Sequence, residues 1–233
     1  MTALTLLALV ASSTTSTPVD DYAFILDTYV REGLVDYRGI ERDALPRLDR
    51  FVAHLGRTPL PEQREKRIAW LANAYNAFVI RSVIRHARPR SVLDVEGFFA
   101  GEKHLLAGRE LTLDALEKEL LLPFAKDPRL HFVLVCGAVG CPRLASTPLA
   151  AETLESRLER APREYFATPF GAKLEGEHIY VSRILDWYGS DFGGPSGVRA
   201  FLLRYLGEKS RTVLRKFPHR VAYIDYNWSL NQQ

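Results

Sequence analysis

The chain is expected to fold as one α+β domain: a long buried central helix, a mostly antiparallel sheet, and further helices around them. Three observations carry this expectation. Residues 62–87 are apolar on nearly every side of a helix from Ile68 onward, and a helix apolar all round is buried all round. Two short alternating stretches turn at Gly108 and Gly176, as hairpins do. Strands and helices do not alternate as regular βαβ units, which argues against a parallel sheet.

The elements follow in order. Residues 20–32 read as a helix with Asp20 or Asp21 as its cap, Tyr22, Ile25, Leu26 and Tyr29 on one face, and Gly33 as its stop. Leu34–Tyr37 reads as a short strand, and residues 41–55 as a second amphipathic helix through Leu45, Leu48, Phe51, Val52 and Leu55. The central helix comes next. Lys103–Ala107 and Arg109–Leu111 form the first hairpin. Thr112 caps a helix that runs to about Leu122 and is ended by Pro123. Leu130–Val135, rich in apolar and β-branched residues, reads as a buried strand. A helix at about 151–166, a hairpin of 173–175 with 178–181, a short helix capped by Ser182, a helix at 195–206 and a strand at 221–226 complete the chain.

Bulk composition excludes several function classes. Hydrophobic residues are 47% and charged residues 25%, and the net charge is +3 from 31 basic and 28 acidic side chains. The basic residues are scattered, so no nucleic-acid partner is expected. Leu4–Ala11 is a short apolar run followed by Ser/Thr-rich residues 12–17 and Pro18. It resembles the apolar stretch and cleavage zone of a secretory signal, though without basic residues ahead of it. Residues 1–18 are therefore read as a signal peptide or tail and 19–233 as the domain. Export to the periplasm or cell envelope is expected, with a cytoplasmic location as the alternative. A run this short cannot span a bilayer, which takes about 20 residues, and no transmembrane span is expected.

The chemistry is expected at His131-Phe-Val-Leu-Val-Cys136-Gly137-Ala-Val-Gly-Cys141-Pro-Arg143, which carries both cysteines. An apolar run opens there into a glycine turn, where backbone N–H groups can approach a ligand. A nucleophilic Cys136 needs a basic neighbour. His131 is the candidate, although positions 131 and 136 would face opposite sides of an ideal strand. Three readings of the cysteine pair stay open: a disulfide, inert buried thiols, or a reactive Cys136. Two cysteines and one nearby histidine do not make the four-ligand pattern of structural zinc, so no metal is expected. No phosphate loop or dinucleotide fingerprint occurs, and no cofactor is expected.

Trp70-Leu-Ala-Asn73-Ala-Tyr75-Asn76-Ala is the second informative stretch. Asn73 and Asn76 are neighbours on the central helix, and buried amides need partners. They either tie the helix to loop backbone or line a polar pocket. Glu117 is a candidate acid or base, or else an ion-pair partner. The leading expectation is a thiol-dependent hydrolase or acyl transferase. Cys136, His131 and Glu117 are its catalytic candidates, and Trp70, Asn73, Tyr75, Asn76, Gly137, Cys141, Arg143, Ser182 and Arg183 its candidates for contact with an unidentified small-molecule or peptide ligand. A non-catalytic binding module and a redox-active dithiol protein are the alternatives.

Several stretches, in order along the chain, resemble the motifs of the family called domain of unknown function 547. They are Trp70–Ala77, His131–Pro142, Val181-Ser-Arg-Ile-Leu-Asp-Trp-Tyr188 with Asp191-Phe192, and Tyr226–Asn231; Gly97-Phe-Phe99 and Leu111–Asp114 also fit. The family is named for lacking an established function. The resemblance implies envelope-type bacterial relatives and, in eukaryotes, fusions to redox-type and signalling modules. It also implies that a residue like Cys136 is kept where the second cysteine is serine, so that a disulfide is not obligatory. Many members have Glu-His where this chain has Glu117-Lys118. That departure counts against this position as a general base, or against activity in this chain.

Overall fold

The computed structural model describes residues 16–233; the export signal expected over 1–18 lies almost wholly outside them. The first described helix, α1 (Pro18–Tyr29), is capped by Thr17, whose side chain accepts from the Asp20 N–H while the Asp20 carboxylate accepts from the Thr17 N–H. Thr17 is therefore the cap in place of Asp20 or Asp21, and Asp20 completes a capping box. The side chain of Asp21 is instead fully buried against Arg47 (2.9 Å) and Arg50 (2.8 Å). The helix stops at Tyr29 because Val30–Arg31 (β1) turns back on Leu34–Val35 (β2) through Glu32 and Gly33, both at positive φ.

After a short turn, α2 (Tyr37–Gly39), a π-helical segment Ile40–Ala44 leads into α3 (Leu45–Arg57). It packs on α1 by stacking Phe51 on Tyr22, centroids 4.4 Å apart. The 22-residue α4 (Arg64–Arg85) is the long buried helix that the sequence requires. Leu71, Ala72, Ala74, Ala77, Phe78 and Val83 are wholly inaccessible. It carries the centre of one continuous apolar core that includes residues from nearly every element.

β3 (His104–Leu106) and β4 (Arg109–Leu111) form the expected hairpin, turning at Ala107 and Gly108, both at positive φ. Thr112 accepts from the Ala115 N–H at 3.1 Å, starting the helix over 113–125. This helix passes through a π-helical stretch, Ala115–Leu121, into α5 (Leu122–Ala125). Pro123 does not end it as expected. It sits where the π-helical stretch passes into α5, and Lys126 at φ +50° closes the helix instead.

The expected strand Leu130–Val135 is absent. Asp127 accepts from the Arg129 N–H at 2.9 Å and, with Pro128, starts a 3-10 turn over Pro128–Phe132. The apolar residues are buried as foreseen, but their backbone finds a side chain in place of a neighbouring strand. Asn76 donates to the Val133 carbonyl (3.0 Å) and accepts from the Val135 N–H (2.9 Å).

The second half adds α6 (Leu154–Phe166), preceded by a 3-10 turn at Ala151–Thr153. The hairpin β5 (Ala172–Glu175) with β6 (His178–Ser182) is joined by β7 (Val221–Ile224), which runs parallel to β6. Among the described residues three strand pairs are antiparallel and this one is parallel. The strands make three small sheets rather than one. Between β6 and β7 lie α7 (Ile184–Trp187), α8 (Gly194–Tyr205) and α9 (Glu208–Lys216). No expectation covered α9. Only Leu214 of its nine residues is buried, so it has almost no apolar stripe to read. Among the described residues no helix is long and apolar enough to cross a membrane.

Candidate active site

The C-terminal tail shapes the 136–141 turn. Val139 N–H donates to the Ser229 carbonyl and Gly140 N–H to the Asn227 carbonyl, each at 2.8 Å, and Asn231 N–H donates to the Gly137 carbonyl at 3.0 Å. Tyr165 Oη lies 2.7 Å from the Gly140 carbonyl and 2.9 Å from Ser182 Oγ, fixing the other side. Gly137 has φ +86°, a conformation that disfavours other residues. A braced turn of this kind holds its side chains in fixed directions.

Cys136 and Cys141 are joined in a disulfide. Of the three readings open in the sequence, the inert-thiol and free-thiol ones do not describe this form. The two sulfurs are not equivalent. Cys136 is partly exposed, whereas Cys141 retains 7% of its surface. Cys141 Sγ accepts from the Cys136 N–H (3.1 Å) and from the Tyr226 hydroxyl (3.2 Å). Cys136 Sγ has only a 3.5 Å contact with that hydroxyl.

The disulfide lines a cavity of about 330 Å³. Tyr75, Glu117 and His131 also line it, with Trp187, Tyr188, Tyr226 and Trp228. All three expected catalytic residues, Cys136, His131 and Glu117, thus face one space. The parity objection to His131 and Cys136 lapses because the segment between them is not a strand.

Two acid–base groups in this cavity are shifted in opposite directions. Burial lowers the His131 pKa, against the pull of Asp191, whose carboxylate accepts from Nε2 at 2.8 Å. A carboxylate can only accept, so Nε2 carries the proton and neutral His131 presents Nδ1 as a free acceptor. That nitrogen is 3.9 Å from Glu117 Oε1, too far for a hydrogen bond. Burial also raises the Glu117 pKa, although the nearby Tyr188 hydroxyl, the Lys118 charge and the Tyr75 hydroxyl favour its charged form. The ring of His131 lies on Tyr188, centroids 4.0 Å apart. A carboxyl shifted up beside an imidazole shifted down, both lining a cavity, is the arrangement of an acid–base pair.

The expected ligand contacts divide. Tyr75 and Cys141 line the cavity; Trp70, Asn73, Asn76, Gly137, Arg143, Ser182 and Arg183 do not. Asn73 exchanges two hydrogen bonds with the backbone of Leu149 (2.8 and 2.9 Å). Asn76 does the same for Val133 and Val135, so both amides are pins. Trp70 lies edge-on to His54, and its indole N–H has no partner. Ser182 is buried and accepts from the Ile184 N–H. Arg183 pairs with Asp186 at 3.2 Å. Arg143 lines a second cavity, which Cys141 also borders, with its Cα 2.8 Å from where a side chain on Gly33 would begin. Lys118 bonds Asp114 at 2.8 Å.

No role for Asp191, Tyr226, Trp187 or Trp228 was read from the sequence. They reach the site from the chain's last quarter, and the only signal for them is that each falls in a family-like motif. Among the described residues no group of three His, Cys, Asp or Glu side chains could hold a metal.

Fold and site together define an α+β protein with a disulfide and a perturbed Glu–His pair sharing one aromatic-walled cavity. Residues 61–166 match the model of the family described as "Protein of unknown function, DUF547", and this supports the family that the motifs resemble. The matched stretch contains Trp70–Ala77, Glu117 and His131–Pro142. No curated protein and no solved structure matches the chain.

Proposed function

We propose that the chain is a thiol–disulfide redox protein whose reacting bond is Cys136–Cys141. The observation that carries this reading is the asymmetry of the two sulfurs. Thiol–disulfide exchange is fastest when the attacked sulfur is accessible and the other leaves as a stabilised thiolate. Cys136 Sγ is the accessible one. Cys141 Sγ already accepts two hydrogen bonds, from the Cys136 N–H and the Tyr226 hydroxyl, and such bonds strengthen when the acceptor is charged.

The reaction runs with a dithiol substrate. One substrate thiolate attacks Cys136 Sγ, forming a mixed disulfide and releasing Cys141 as thiolate. The second substrate thiolate then attacks the mixed disulfide and releases Cys136. The substrate is oxidised to a disulfide, and the cysteine pair takes up two electrons and, from the two substrate thiols, two protons. Trapping with a monothiol tests the order of events. Glutathione is expected to be found on Cys136 by peptide mass mapping; attachment to Cys141 alone would contradict the reading.

A thiol-dependent hydrolase or acyl transferase is the second reading, favoured by the convergence of Cys136, His131 and Glu117 on one cavity. It requires the reduced form. It ranks below the redox reading because both sulfurs are tied up in the disulfide and neither ring nitrogen of His131 is bonded to sulfur.

A further inference from the structure

Four aromatic side chains that wall the cavity are Trp187, Tyr188, Tyr226 and Trp228. Trp187 lies 4.9 Å from Tyr226 and 5.8 Å from Trp228, and Tyr226 lies 4.8 Å from Trp228, all tilted rather than stacked face to face. Tyr188, on His131, continues the wall. Trp187 is 46% exposed, a large apolar surface to leave in water unless it meets a ligand. Aromatic faces are negative at their centres and hold organic cations, most strongly when water is excluded.

The charges in the cavity favour the same ligand. Its acidic residues are Asp114 and Glu117, and its only lysine or arginine is Lys118. Lys118 is turned to Asp114 at 2.8 Å, so this pair is matched. Glu117 makes no salt bridge to a lysine or arginine among the described residues, although the charge of Lys118 favours its ionised form, and burial disfavours the charged form of the neighbouring His131. The cavity therefore has one acidic group in excess of its cations, set among aromatic rings.

We propose that this cavity binds an organic cation of the quaternary or alkylated ammonium type, held against Trp187, Tyr226, Trp228 and Tyr188 with Glu117 as its counter-charge. The inference goes beyond the redox reading and does not depend on the reactivity of the disulfide. A cation beside Glu117 restores the charged carboxylate that burial disfavours, which a neutral ligand of the same shape cannot do.

The test compares choline with its neutral carbon isostere, 3,3-dimethylbutan-1-ol, by titrating tryptophan fluorescence of the full chain at pH 7. Choline is expected to bind about tenfold or more tightly than the alcohol. Trp187→Leu, which keeps bulk at an exposed position, and Glu117→Gln are each expected to weaken choline several-fold and leave the alcohol unchanged. Equal affinity for the two probes, or binding of neither, would overturn the proposal. The same titration on a Cys136→Ser/Cys141→Ser chain separates the two ideas. Choline affinity is expected to persist there, and its loss alongside that of the disulfide would contradict the independence claimed for the cation site.

Discussion

Two groups of buried polar side chains lie near one another in this molecule and are treated oppositely. On α4, Asn73 and Asn76 each give one hydrogen bond and take one, all to backbone groups and all at 3.0 Å or less. Facing the cavity, Glu117 and His131 are as buried as Asn76, yet burial disfavours the charged form of each, and His131 keeps a ring nitrogen with no partner in bonding distance. A fully reciprocated polar group holds the fold together. One left partly unmatched costs stability and is available to a ligand or a proton. The cysteine pair shows the same contrast within a single bond, with a hydrogen-bonded Cys141 and a nearly bare Cys136.

The largest effect expected from breaking this comparison is at Asn76. Asn76→Ala leaves the Val133 carbonyl and Val135 N–H without partners in the core, a loss of about 3 kcal/mol or more, read as a lower urea midpoint. Asn73→Ala, at a half-buried site, is expected to cost about 1–2 kcal/mol. Equal, small effects at both positions would show that the clamps do not carry the helix.

Next in size is the disulfide. It closes a short loop, so Cys136→Ser/Cys141→Ser is expected to lose about 2 kcal/mol with the fold retained, as chain entropy predicts. A collapse of the cooperative transition would mean that the turn cannot hold without its bond, and that reduction is not part of its working cycle.

The smallest effect on stability is expected at Glu117, and its size depends on pH. The folded-state pKa is raised above the ordinary 4.5. The native chain therefore keeps a proton that the unfolded chain has lost, and stability falls as pH rises from about 4.5 towards the raised value. Glu117→Gln removes that dependence, so the variant gains on the parent across this window and matches it below. Chemical denaturation at a series of pH values reads the difference directly. A gap that narrows with rising pH would contradict the assignment.

The sequence makes the helices and hairpins legible for simple reasons. The 3.6-residue period of Tyr22, Ile25, Leu26 and Tyr29 and the turn glycine Gly108 are local signals. The run 130–135 lacks such a signal, because a solid apolar stretch has no period to distinguish a strand from any other buried segment. Its backbone partner is the side chain of Asn76, more than fifty residues away. At the site, Cys136, His131 and Glu117 could be named from their residue types and neighbours. Asp191 and Tyr226 could not, because they meet His131 and the cysteines across 60 to 90 positions of chain, and only the folded chain brings them there.

The central claim is that Cys136–Cys141 is a working bond rather than a staple, and its reduction potential tests that most directly. The native chain would be equilibrated in dithiothreitol redox buffers while circular dichroism follows the fold. The account predicts reduction with the fold intact at a potential above about −300 mV, the region of catalytic and regulatory disulfides. Tyr226→Phe should move it to a more negative value by roughly 20 mV, the equivalent of about 1 kcal/mol, since a donor to the Cys141 thiolate is lost. A potential below −300 mV that Tyr226→Phe does not move, or reduction only on unfolding, would contradict it.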